Sequence, residues 1–200
     1  MAVTQEQAPE DELLALRSGY LDNWEELTGA GVTGLERFAL TVQRVVDQRY
    51  ERDHAAVESD SELLRLILDD LVDLFVTEDH AREKRLLMSS ESVLGWRALG
   101  DMDDPLDGFA PHLQPGEGRY RHFALSAAGA LVAPNLLVDL AARVRGNDLV
   151  PDSADSRADV ATNAIGRRFT GFLRSTPIAE LAGEGAVANW IREAFGTTAR

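Results

Sequence analysis

The chain contains no cysteine. Disulfides, thiolate metal sites and a cysteine nucleophile are therefore excluded, and nothing marks an oxidising compartment. Lysine is almost as scarce, since Lys84 is the one lysine among 20 basic residues. Long apolar runs are missing too. The longest uncharged stretch, Phe123 to Val138, spans 16 residues and contains Pro134, whereas a membrane-spanning helix needs about 20 apolar residues. No integral membrane segment is expected. Residues 1–12 are polar and acidic, which predicts no secretory signal and a cytoplasmic location. Glycine-rich phosphate loops and Gly-x-Ser-x-Gly elbows are also absent, which removes the usual nucleotide and serine-hydrolase signatures.

Metal sites fare no better. Four scattered histidines form no HxxxH or HxH pair, so structural zinc is not expected. The stretch Asp101-Met-Asp103-Asp104-Pro-Leu-Asp107-Gly108 has the acid density of a calcium loop. Its sixth position is Leu106 where glycine is required, and its twelfth is His112, so it is no EF-hand. Neither a metal nor an organic cofactor is expected.

What the chain does have is acid. The formal net charge is −14 over 200 residues, and it is unevenly placed. Residues 1–117 carry 10 basic and 26 acidic side chains, and residues 118–200 carry 10 and 8. An acidic N-terminal part repels phosphate backbones, which disfavours nucleic-acid binding. It suits a protein partner with a basic surface, but a merely soluble exterior explains it more simply.

Helical periodicity dominates. Leu13, Leu16, Tyr20, Trp24 and Leu27 recur at spacings of three and four, one stripe of a helix that Gly29 to Gly31 would end. Thr33-Gly-Leu-Glu36 and Ser59-Asp-Ser-Glu62 are capping boxes. Each opens a strongly periodic helix, the first running to about Asp53 and the second carrying Leu64, Ile67, Leu68, Leu71, Val72 and Phe75. Weaker patterns predict helices over 85–99 and 134–145, and clearer ones over 119–133, 156–173 and 177–195. Trp24, Trp96 and Trp190 sit in apolar stripes and read as core residues. No alternating apolar–polar run argues for a sheet. The expected fold is all-α with about seven helices. An acidic helical region (1–100) and a turn-rich linker (101–118) precede a helical core (119–200), expected to form a four-helix bundle.

Two C-terminal segments place polar residues on faces otherwise made of small ones. His122, Ser126 and Gly129 share one helix face at i, i+4 and i+7, and Asp159, Asn163, Gly166 and Thr170 repeat the arrangement. Small residues let helix backbones approach to about 8 Å, so the two faces can seal a polar group between them. A carboxylate beside an imidazole fixes its tautomer and raises its pKa, which is one way to prepare a general base. A structural reading stands beside this one. Ser156-x-x-Asp159 is also a capping-box pattern, and Asn163 can simply bridge backbones.

His122-Phe123 followed by small residues, then Asp159-x-x-x-Asn163-x-x-Gly166, resembles the YfiM-like lipoproteins and the related VanZ-like helical proteins. Arg119 stands where those families place a lysine, and Asp139 is the nearest candidate for their intermediate acid. Gly118 replaces their aspartate, and no Lys-Glu or Glu-x-x-Gln element is present. The likeness covers about residues 118–172 and implies a helical fold rather than a reaction. The His-Phe element also resembles small proteins of contractile injection system gene clusters.

Two functions follow. One is a small bacterial accessory or interaction protein, associated with a cell envelope or contractile injection system. The other is a hydrolase of cell-envelope material or an injected toxic effector, with His122, Asp159 and Asn163 as its centre and Arg119, Ser126, Gly129, Gly166 and Asp139 in support. The sequence leaves open whether the chain is an enzyme.

Overall fold

The computed structural model describes residues 7–76, 99, 106–114, 118–132 and 154–196. Seven α-helices lie in these segments. They are α1 (Gln7–Gly29), α2 (Gly34–Asp53), α3 (Asp60–Phe75), α4 (Arg119–Val132), α5 (Ala154–Ser175), α6 (Ile178–Leu181) and α7 (Ala186–Phe195). A 3₁₀ turn spans Pro111–Leu113, and the one β-bridge among the described residues joins Phe109 to Gly196. The fold is all-α, as the periodicity predicts. The expected helices over 85–99 and 134–145 lie outside the described residues, as does Asp139. No helix among the described residues is long and apolar enough to cross a membrane.

The hydroxyl half of both capping boxes forms. Thr33 Oγ1 accepts from the Glu36 amide at 3.4 Å, and Ser59 Oγ from the Glu62 amide at 3.3 Å. Glu62 reaches back to the Glu58 amide at 2.9 Å. Each contact satisfies a helix-end donor that would otherwise lack a partner. The start of α2 also borrows distant help, because the Asp107 carboxylate accepts from the Gly34 amide at 2.7 Å and the Asp107 carbonyl accepts from Leu35 at 3.0 Å.

The core is built around Phe38 of α2. Its ring stacks on Tyr120 at 4.8 Å and meets Phe123 (5.2 Å), Phe75 (5.4 Å) and Phe195 (5.5 Å) edge-on. Those partners come from α3, α4 and α7, so the acidic N-terminal helices and the C-terminal helices share one aromatic centre. Such pairs add about 0.5–1.5 kcal/mol each beyond the apolar area they bury.

The helix expected over 177–195 is instead two. It breaks at Ala182–Gly185, where Gly183 and Gly185 adopt φ values of +85° and +70°, a region that side chains other than glycine rarely enter. A buried side chain from α2 organises the break. The Gln43 carboxamide oxygen accepts from the Val187 and Ala188 amides at 2.9 and 3.1 Å, and its nitrogen donates to the Leu181 carbonyl at 2.8 Å. Asp47 accepts from the Gly183 amide at 2.8 Å. Gln43 thus serves the carbonyl end of α6 and the amide end of α7 together. A bidentate pair between Arg192 and Glu36, at 2.7 and 2.6 Å, fixes the rest of α7 on α2.

Candidate functional site

Helices α4 and α5 meet along the faces that hold the candidate residues. Gly166 explains how close they come. A Cβ at this position would lie 2.6 Å from the Phe123 carbonyl oxygen, 2.9 Å from Ser126 Cβ and 3.1 Å from the Ala127 amide. Only glycine fits without pushing the two backbones apart. Ala124, Ala127, Ala128 and Gly129 are buried on α4, so the facing surface is small throughout.

Polar contacts run along the seam in order. Arg119 forms an ion pair with Asp159, and His122 Nε2 lies 3.4 Å from the same Asp159 Oδ1. Ser126 Oγ donates to Asn163 Oδ1 at 2.6 Å. Thr170 Oγ1 donates to the Ala127 carbonyl at 2.7 Å, and the Arg174 guanidinium to the Leu131 carbonyl at 3.3 Å. Residue numbers rise together on both helices, so α4 and α5 run parallel.

The sequence-derived set is therefore largely brought together. His122, Asp159, Asn163, Arg119, Ser126 and Gly166 share one seam, and Gly129 lies buried on the same helix as His122. The capping alternative for Asp159 is not what the backbone does. Helix α5 begins at Ala154, two residues before Ser156, and the Asp159 carboxylate points across to α4. The strongest partner of that carboxylate is also not the imidazole but the Arg119 guanidinium, whose side chain is only 1% exposed.

Electrostatics sharpen the picture at one end of the seam. Burial holds the His122 imidazole below its ordinary value near 6.5, contrary to the raised value expected of an imidazole beside a carboxylate. Asp159 and a hydrogen bond with Asn163 pull the other way, while Arg121 and Arg119 add to the lowering. Near neutral pH the ring is therefore uncharged, and it can accept a proton. The His122 and Asp159 side chains keep 25% and 34% of their surface in contact with solvent. Ser126, Asn163 and Thr170 deeper along the seam serve as a clasp, with each polar group answered from the opposite helix.

A second polar cluster escapes the spacing argument. Asp70 on α3 receives two bonds from Arg49 on α2 (2.5 and 2.6 Å) and one from the Tyr20 hydroxyl on α1 (2.9 Å). Arg17 on α1 pairs with Asp73 and lies 3.8 Å from Asp70. Arg49 also reaches Asp53 at 2.8 Å. Arg17, Arg49, Asp69, Asp70 and Asp73 are all buried. Burial raises the Tyr20 phenol far above its ordinary range, with the neighbouring Asp70 charge acting in the same direction. The available signal is Asp69-Asp70 and Asp73 interrupting the apolar run of α3, at positions where a surface charge does not belong.

Among the described residues, no three acidic, histidine or cysteine side chains come together in a group able to hold a metal ion. Comparisons of the chain with protein-family models, with curated proteins and with solved structures find no match.

Proposed function

We propose that this chain is a small bacterial accessory protein of the cytoplasm whose acidic N-terminal helices dock onto a basic surface of a protein partner. One observation carries the reading. Helix α1 holds six acidic residues and a single basic one, Arg17, and Arg17 is buried against Asp73 rather than offered to solvent. Asp22, Glu25 and Glu26 are exposed with no basic residue between Arg17 and Arg37 to offset them, and Arg37 is itself buried. The same division sends Asp69, Asp70 and Asp73 inward, so part of the acidity builds the fold and the remainder faces outward. Association with a cell envelope or a contractile injection system, which the His-Phe resemblance implies, belongs to this proposal. Titration against an oligoarginine peptide tests it, using the wild type and an Asp22→Asn, Glu25→Gln, Glu26→Gln variant. Binding that weakens with salt and with neutralisation is expected. Equal binding by both proteins would refute the reading.

A second reading rests on His122. A neutral imidazole beside Asp159 and Asn163, still touching solvent, has the protonation state a general base requires. It supports a hydrolase of cell-envelope material or a toxic effector delivered into another cell. Replacement of His122 by Gln separates the readings. Loss of envelope-degrading activity with unchanged unfolding favours the enzyme, and a stability loss without any activity to lose favours the clasp.

A further inference from the structure

Helix α5 turns a basic ridge outward. Arg157 and Arg168 are exposed on one side of the helix, and Val160 between them is 66% exposed. Gly171 leaves open space above the helix. Beside the ridge, Trp190 and Phe172 are half-buried and stacked at 5.5 Å, and the Arg168 guanidinium lies 6.0 Å from the Trp190 ring centre. The helix carries four arginines against two aspartates, of which Asp159 faces α4. An outward helix face that combines cations with an exposed aliphatic side chain and a partly covered aromatic pair is suited to an acidic helical partner.

The same molecule presents such a helix. We infer that the acidic outer face of α1 in one copy docks along the basic ridge of α5 in a second copy. This inference rests on the docking reading above and names its basic surface. Arg157 and Arg168 stand 11 residues apart on the helix, about 16 Å, and the 23 residues of α1 reach about 34 Å, so one α1 spans both arginines. Helix α1 packs on α2 and α3, and α5 packs chiefly on α4, so the two docking faces are separate surfaces. The contact is then heterologous, and copies add head to tail into a ring or an open stack.

The overall charge of −14 sets the salt dependence. Copies repel at low ionic strength. Beyond about 10 Å at 0.1 M this repulsion is screened, while pairs in contact persist. Association therefore peaks at intermediate salt and weakens on both sides. One helix ridge covers less than the roughly 800 Å² per partner of a stable complex, so assembly is reversible and rises with concentration.

Sedimentation velocity over a salt and concentration series tests this directly. Reversing the ridge (Arg157→Glu, Arg168→Glu) or the acidic face (Asp22→Arg, Glu25→Arg, Glu26→Arg) weakens self-association about tenfold or more. Circular dichroism checks that each variant keeps its helices. Mixing the two variants restores association, because each reversed face now finds its complement on the other protein. A wild type that stays monomeric throughout overturns the inference, as does a mixture that stays dissociated. Oligoarginine binding by the wild type reports separately on the docking reading, so the two failures are distinguishable.

Discussion

The arginine–aspartate cluster between α1, α2 and α3 is sealed from water, whereas the α4–α5 seam leaves part of its polar groups exposed. Arg17, Arg49, Asp70 and Asp73 are each under 5% exposed, but the His122 and Asp159 side chains keep a quarter to a third of their surface wet. Full burial leaves the charges of the first cluster no solvent to fall back on, so removing one partner strands another in the interior. Partial exposure makes the seam different in kind. A proton can reach His122 from the solvent that touches its side chain.

The comparison breaks most sharply at Asp70. Replacing Asp70 with Asn removes the charge that Arg49, Tyr20 and Arg17 share, and urea unfolding should report a loss of about 3–5 kcal/mol, as for other buried pairs stripped of one partner. A loss below 1 kcal/mol would show that water already reaches the cluster. Gly166→Ala comes next. Its added carbon meets the α4 backbone, and overpacking of this kind costs about 1–3 kcal/mol, detectable as a lower urea midpoint with an unchanged slope. An α4–α5 pair that absorbed the methyl group freely would be looser than the contacts around Gly166 indicate. Ser126→Ala is milder, about 1 kcal/mol, because Asn163 loses a donor in a partly buried position. A double-mutant cycle with Asn163→Ala isolates that coupling.

The smallest effect is one of pH, and its sign is fixed. In the folded state His122 lies below the value it has when unfolded. The unfolded chain therefore takes up the proton first as acid is added. The contribution of His122 to stability is complete above pH 6.5 or so and declines as pH falls through the folded-state value. His122→Gln should flatten the stability curve in that window and leave it elsewhere unchanged. A curve equally steep in both proteins would assign the titration to another group.

Local rules carried much of this molecule. Thr33 and Ser59 announced two helix starts because a hydroxyl followed three residues later by Glu is a complete local device. The i, i+4 and i+7 spacing of His122, Ser126 and Gly129 and its echo at Asp159, Asn163 and Gly166 located the seam, because helical geometry alone decides which residues share a face. What spacing could not show is which partner wins. Asp159 reads equally well as an N-cap or as a histidine's orienter, and that its main partner is Arg119 rests on where α5 begins and how α4 lies beside it.

The sequence by itself determined the all-α class, the two capped helix starts, the acidic N-terminal half and the small-residue faces of α4 and α5, since each is a property of neighbours along the chain. Only tertiary structure decided that Arg17 and Arg49 neutralise Asp70 and Asp73, that Gln43 divides α6 from α7, and that Phe38 joins four helices at one centre. Those contacts link residues 21 to 157 positions apart. Their energy comes from desolvation and from partners that no local pattern can name.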